Sequence, residues 1–246
     1  METTLIYTYK TGLHHILPPI TTNQIILIYR ECIIRNSEFH KSKIYTTEDC
    51  VDLFDDIVDE VVIIDSDYET YFQDDLKFYV LQKETAPFTL IDGDIILDNK
   101  LNITNEDVVY EKLIKDNPND DYFIKMRKHL LDYNVESYFP YWENFDYTYN
   151  LGIVHVNNTK FVNGFISEYT KFKNWYKEYI ESVNPNLKNE NVLEMATCTY
   201  FLSMYLEIHN HSIGVLNNKN SFTHYSGLYQ KLNLLDKMNC KINTII

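Results

Sequence analysis

Asp92 and Asp94 flank Gly93 between two apolar stretches, Phe88-Thr89-Leu90-Ile91 and Ile95-Ile96-Leu97. Two carboxylates at the end of a buried strand are costly to leave unpaired. A divalent cation shared with a diphosphate would remove that cost. Magnesium and manganese take oxygen ligands, only a few of them protein carboxylates, with water and phosphate completing the shell. The glycine lets the chain turn tightly and a ligand come close to the backbone. His224, in Thr223-His224-Tyr225-Ser226-Gly227, offers another kind of donor. Imidazole is a commoner ligand of transition metals than of magnesium, so a role for His224 favours Mn2+ over Mg2+.

Such a pair needs a fold that carries it to the rim of a sheet. The first half of the chain reads as alternating strand and helix. Residues 5–9 form a short apolar strand, and 22–36 have helical length with Ile25, Ile28, Cys32 and Ile33 on one face. A strand over 43–47 precedes an acidic amphipathic helix over 48–57, in a stretch whose carboxylates from Asp49 to Glu60 read as a solvated face. Residues 60–65 are a β-branched run of the kind buried on both faces. A helix over 76–84 stops before Pro87, and 88–97 read as strand, turn and strand. This order predicts an α/β fold, a mostly parallel sheet flanked by helices. Ligands of such sheets sit beyond the carboxyl ends of the strands, which directs attention to the end of the strand before Asp92.

The second half is more mixed. Strands are expected over 108–114, 150–157 and 212–218, and helices over 122–133, 160–183, 190–209 and 228–240. No repeat or low-complexity linker divides the chain, so one domain over 1–246 is expected.

In this setting Asp92-Gly93-Asp94 resembles the D-x-D site of GT-A fold glycosyltransferases, which hold a nucleotide-sugar diphosphate through a metal. Asn150-Leu151-Gly152-Ile153-Val154 is similar to the Asn-x-Gly-hydrophobic strand that follows D-x-D in glycogenin-like, family-8 transferases. His224-Tyr225-Ser226-Gly227 with Lys231 resembles the family's His-x-x-Gly-x-x-Lys element. Lys231 stands one place late, Gln230 occupies the family's lysine position, and no Pro-Trp follows. Lys77, ten residues before Pro87, resembles a lysine of bacterial and viral relatives. The chain has only 6 glycines, so the presence of Gly93, Gly152 and Gly227 in these motifs adds weight to them.

The resemblance implies a single GT-A-like (Rossmann-like) domain, with a nucleotide-binding half over 1–97 ending in D-x-D and an acceptor and sugar half over 98–246. It implies a retaining, hexosyltransferase-like reaction from a UDP- or GDP-sugar to a saccharide or other hydroxyl acceptor. Asp92, Asp94 and His224 would hold Mn2+ or Mg2+. Lys77, Gly93, Gly152, Gly227 and Lys231 would line the donor site, and Thr8 and Tyr9, ending the first strand, would meet the base or ribose. Asn150 and Glu194 would act on the sugar and acceptor side.

Glu190 and Glu194 lie four apart on one expected helix face, and Glu194 sits between Leu193 and Met195. A pocket wall and a solvated helix edge both fit that pattern. The aromatic group Tyr138, Phe139, Tyr141, Trp142, Phe145, Tyr147 and Tyr149 suits either an acceptor platform or the packing of an irregular segment or partner interface. A haloacid-dehalogenase-like phosphohydrolase also has D-x-D after a strand, and Asp116 with Asp120 and Asp121 imitates its second acidic motif. That family usually places D-x-D on its first strand, and here the acidic pair follows too soon. A non-enzymatic binding protein on a degenerate transferase fold is the other alternative. A net charge of −14 argues against partnership with a nucleic acid polymer. No apolar run reaches the ~18–20 residues of a membrane span. The N-terminus lacks a signal-peptide pattern, and Cys32, Cys50, Cys198 and Cys240 form no CxxC. Reduced thiols and a cytoplasmic location are therefore expected.

Overall fold

The computed structural model of the protein describes residues 3–10, 20–70, 74–115, 147–183, 201–216 and 221–242. Strand β1 (Leu5–Tyr9) leads to helix α1 (Thr22–Asn36), strand β2 (Ser42–Thr46), a 3₁₀ turn (Glu48–Leu53) and strand β3 (Glu60–Ile63). Helix α2 (Asp75–Lys83) precedes strands β4 (Phe88–Ile91), β5 (Ile95–Leu97), β6 (Val108–Tyr110) and β7 (Leu113–Lys115). Strands β8 (Tyr147–Tyr149) and β9 (Ile153–Val156), helix α3 (Val162–Val183), strands β10 (Ile213–Val215) and β11 (Phe222–His224) and helix α4 (Leu228–Ile242) follow. Residues 201–208 are also helical.

The main sheet has seven strands in the order β10-β6-β9-β4-β1-β2-β3. Only β9 runs against the rest, antiparallel to both β4 and β6. This is the expected α/β architecture, a mixed and mostly parallel sheet flanked by helices. Its faces are covered separately, as the two-residue period of β1 shows. Leu5, Tyr7 and Tyr9 pack with Ile25, Tyr29 and Ile33 of α1, whereas Ile6 joins the cluster of Phe78, Phe165, Tyr169 and Phe201. Each buried aromatic or aliphatic side chain contributes roughly 1.5–3 kcal/mol of apolar transfer.

The helix α1 begins at a capping box, in which Thr21 Oγ1 accepts from the Gln24 backbone and Gln24 Oε1 from that of Thr21. At its far end Asn36 is fully buried. The Asn36 amide donates to Ile95 O and to Tyr7 Oη at 2.9 Å each, and Asn36 Oδ1 accepts from Leu97 N at 2.8 Å. One side chain thereby fixes α1 to β5, the strand that leaves the D-x-D turn. Inside the sheet, Asn157 Nδ2 donates to the carbonyls of Thr104 and Glu106. Asn157 Oδ1 must then accept from His155 Nε2, and His155 Nδ1 takes the Thr89 hydroxyl at 2.8 Å. Burial pushes the His155 pKa down, so the ring is held neutral.

Several expectations are corrected. The acidic helix over 48–57 is a 3₁₀ turn over Glu48–Leu53. Asp49, Asp52, Asp55 and Asp56 repel at three- and four-residue spacings, while Cys50 and Phe54 are anchored in the core. Residues 60–65 are not a doubly buried strand: β3 is an edge strand with one partner, and Ile63 is 53% exposed. The run 108–114 splits at Glu111 into β6, in the main sheet, and β7, which pairs with β8. Asn150-Leu151-Gly152 is a turn before β9, not part of the strand. Strand β11, unforeseen from sequence, pairs with β5. The expected helix over 122–133 lies outside the described residues, as does most of that over 190–209. Among the described residues no helix is long and apolar enough to cross a membrane.

Candidate metal centre

The sheet brings distant sequence segments together because β9 is reversed. Its start lies beside the ends of β4 and β6, so Ile153 pairs with Ile91, and Val154 with Tyr110. Asp92 N donates to Gly152 O at 2.8 Å, and Glu111 N to Ile153 O at 2.8 Å. A turn closed by Ile95 N donating to Asp92 O carries the chain from Asp92 to β5. A Cβ on Gly93 would be driven into the Tyr29 ring, so glycine is needed where α1 packs under the turn. Antiparallel pairing of β5 with β11 sets His224 opposite Ile95, and Tyr225 N donates to Asp94 O at 2.8 Å.

Asp92, Asp94 and His224 each present one ligand atom, and these atoms lie within 4.8 Å of one another. Each carboxylate divides its two oxygens. Asp92 Oδ1 pairs with Lys77 Nζ at 2.7 Å, and its Oδ2 stands 4.0 Å from His224 Nε2. Asp94 Oδ2 pairs with Lys231 Nζ at 2.9 Å, and its Oδ1 stands 3.3 Å from His224 Nε2. Neighbouring ligands of one octahedral ion with bonds of ~2.1 Å sit ~3 Å apart, so these spacings fit Mg2+ or Mn2+ after small adjustments. Two oxygens and one imidazole nitrogen suit manganese better.

The electrostatics follow from burial and pairing. Burial alone would lower the His224 pKa, but its bonds to Asp94 and Glu111 and the carboxylate charges raise it to about 10. Burial opposes ionisation of Asp94, yet His224 and Lys231 outweigh it and hold that carboxyl below its usual range. At Asp92 burial dominates and raises the pKa, with Lys77 only partly offsetting it. Burial disfavours the charged Lys77, but Asp74 and Asp92 more than restore it.

Lys77 is thoroughly engaged. Besides Asp92 it pairs with Asp74 at 3.1 Å and donates to Leu151 O at 3.0 Å. It links α2, the D-x-D turn and the Asn-x-Gly turn. Its helix is moored by Asp75, which is fully buried and takes the Tyr169 hydroxyl and Lys173 of α3. Lys231 reaches the site despite its late place in the motif, because α4 begins just after Gly227 and its first turn faces Asp94. Asn150 Oδ1 accepts from Gly152 N at 2.6 Å, closing the turn before β9. Gly227 is open, its nearest would-be Cβ contact being Gln230 Oε1 at 3.7 Å. Tyr9 is buried against Tyr29 and Phe54, while the neighbouring Thr8 is partly exposed at the end of β1. Tyr149 stacks on Tyr110 with centroids 4.8 Å apart, a packing role. Glu190, Glu194, Asp116, Asp120, Asp121 and the aromatic residues from Tyr138 to Phe145 lie outside the described residues.

Glu111, Asp74 and Tyr29 were not foreseen. Asp74 was legible as an acidic residue three before Lys77. Glu111 left a fainter trace, a charge interrupting the apolar run Val108–Ile114.

No protein-family model matches the sequence, and neither does any curated protein. Among solved structures, mouse xyloside xylosyltransferase 1 in its apo form aligns over 88% of this chain and 85% of its own, with 10% identity and a TM-score of 0.40. The PaToxG glycosyltransferase covers 89% and 82%, with 11% identity and a TM-score of 0.38. The inositol-1-phosphate CTP transferase from T. maritima covers 93% and 91%, with 10% identity and a TM-score of 0.42. None is similar enough to assign this chain an activity.

Proposed function

We propose that this chain is a metal-dependent glycosyltransferase of the GT-A type, moving a sugar from a UDP- or GDP-sugar to a hydroxyl acceptor with retention of configuration. The observation that carries the reading is the convergence of Asp92 Oδ2, Asp94 Oδ1 and His224 Nε2 at the carboxyl end of β4. Bound there, Mn2+ or Mg2+ supplies Lewis-acid and electrostatic stabilisation of charge developing on the leaving nucleoside diphosphate. Lys77 keeps Asp92 Oδ1 occupied, so that Oδ2 alone faces the other two donors. Lys231 does the same for Asp94 and, as the resemblance to the family's lysine implies, would meet the diphosphate. In this reading Thr8, and Tyr9 through its backbone, take the nucleoside side and Gly227 leaves the donor path open, while Gly93 and Gly152 serve it indirectly by making room for Tyr29 and for Glu111 and His224. Asn150 and Glu194 act toward the sugar and acceptor.

The test is a donor screen with UDP- and GDP-sugars in manganese, in magnesium and in chelator. Metal-dependent release of nucleoside diphosphate is the expected result. Release of pyrophosphate from a nucleoside triphosphate with a sugar phosphate would instead mark nucleotidyl transfer. One observation favours the non-enzymatic reading: Lys77 pairs with Asp92 and Lys231 with Asp94, so each carboxylate has a compensating charge from the chain itself. Nucleotide binding without turnover of any donor would support it. Hydrolysis of a generic aryl phosphate would point to the phosphohydrolase alternative.

A further inference from the structure

Glu111 is a carboxylate whose side chain is 1% exposed, at the carboxyl end of β6, and no part of the D-x-D, Asn-x-Gly or His motifs contains it. A buried carboxylate is costly unless paired. Its Oε2 lies 3.0 Å from His224 Nδ1, and Oε1 lies 3.5 Å from the ammonium of the exposed Lys112. A carboxylate oxygen accepts here and His224 Nδ1 donates to it. The opposite ring nitrogen, Nε2, is then the one turned toward Asp92 and Asp94.

The contact has a built passage. Glu111 is held by its backbone bond to Ile153 O, and His224 by its pairing with β5. Between them stands Gly152. A Cβ there would overlap Glu111 Oε2, lie 2.8 Å from His224 Cε1, and lie 3.0 Å from Asn150 Oδ1. Three strands and one missing side chain thus cooperate to join a carboxylate to an imidazole.

We infer that Glu111 is a positioning residue that fixes the ring orientation of His224, holding Nδ1 on the carboxylate and Nε2 toward Asp92 and Asp94, and so sets the site's preference for manganese over magnesium. The inference rests on the metal-site reading above. A carboxylate behind a ligating histidine orients the ring and makes it a better donor, and its loss typically weakens metal binding by about 10–100-fold. The effect should be greater for the ion that depends more on nitrogen.

The experiment is calorimetric titration of Mn2+ and Mg2+ into the full chain and into Glu111→Ala, Glu111→Gln, His224→Ala and the Glu111→Ala/His224→Ala double variant. Ring-nitrogen NMR of His224 in the metal-free proteins accompanies it. Glu111→Ala should lose about 10–100-fold in Mn2+ affinity and less in Mg2+ affinity. Glu111→Gln, whose amide oxygen still accepts from Nδ1, should recover most of that loss. The double variant should bind no more weakly than His224→Ala, because Glu111 acts through the ring. Wild-type Mn2+ affinity in Glu111→Ala, an equal loss for both ions, or additive losses in the double variant would each overturn the inference. Absence of Mn2+ binding in the unaltered protein would overturn the metal reading and this role with it. The NMR signal of a donating Nδ1 would then show whether the Glu111–His224 contact had nevertheless formed.

Discussion

Replacing Gly152 by alanine adds one methyl group where three side chains of the candidate site meet. The new Cβ would overlap Glu111 Oε2, with His224 Cε1 at 2.8 Å and Asn150 Oδ1 at 3.0 Å. Comfortable heavy-atom contacts are about 3.5–4.0 Å, so Glu111 Oε2 must withdraw by roughly 1 Å or more. That withdrawal breaks its 3.0 Å bond to His224. Neither neighbour can yield cheaply. Glu111 is buried and tied to Ile153, and Asn150 Oδ1 is bonded to the Gly152 amide itself. Overpacking costs about 1–3 kcal/mol, and a lost hydrogen bond to a charged group about 1.5–3 kcal/mol. The two overlap, so a combined destabilisation of about 2–4 kcal/mol is expected. At about 2–4 °C per kcal/mol, Tm should fall on the order of 4–16 °C. Urea denaturation and a melting scan measure this, with Gly227→Ala as the comparison because its nearest would-be contact is an ordinary 3.7 Å. Mn2+ titration should show weakened binding in Gly152→Ala alone. If Gly152→Ala keeps the stability, Mn2+ affinity and His224 ring signals of the unaltered protein, the crowding argument is wrong.

Asp94→Asn should abolish metal-dependent donor turnover and leave the fold intact, since it removes one donor of the three; full turnover at saturating manganese would contradict the site. A nucleoside diphosphate should raise Tm only with a divalent metal present, because phosphates meet the Asp92 and Asp94 carboxylates at close range. At about 100 times Kd, binding is worth roughly 2.7 kcal/mol, and an equal shift in chelator would show that binding bypasses these carboxylates. Asn36→Ala should cost about 2–4 kcal/mol in urea denaturation, because buried partners at Tyr7, Ile95 and Leu97 lose their bonds. His155 has a pKa lowered by burial, so the unfolded chain binds its proton first as pH falls. Its contribution is present above the ordinary histidine pKa of ~6.5 and is lost as pH drops through the lower folded value, by at most about 1.4 kcal/mol per unit. His155→Gln should flatten the stability profile between pH 7 and 5; an unchanged slope would mean that another group carries the acid sensitivity.

Local pattern was enough for the elements whose physics is local. Strand β1, helix α1 with its apolar face, and the strand-turn-strand around Gly93 follow from periodicity and from a glycine between carboxylates, and the structure has them at nearly those bounds. The residue types at 92, 94 and 224 also suggest a shared cation from sequence, but that their donor atoms lie within 4.8 Å of one another is a tertiary fact. Position within the sheet was not legible. The run 60–65 reads as an interior strand, yet it lies at the edge, since strand order depends on pairings among distant segments. Likewise β9 reads as one more strand, and only the sheet shows it reversed, so that Gly152 lies against Asp92, Glu111 and His224. Sequence places Lys77 and Lys231 along the donor site only by resemblance, and only the packing of α2 and α4 shows that they pair with Asp92 and Asp94, dividing the oxygens of each carboxylate. Glu111 is 113 residues from the histidine it supports. No local rule links the two; the antiparallel strand between β4 and β6 and the missing Cβ at Gly152 are what bring them within hydrogen-bond reach.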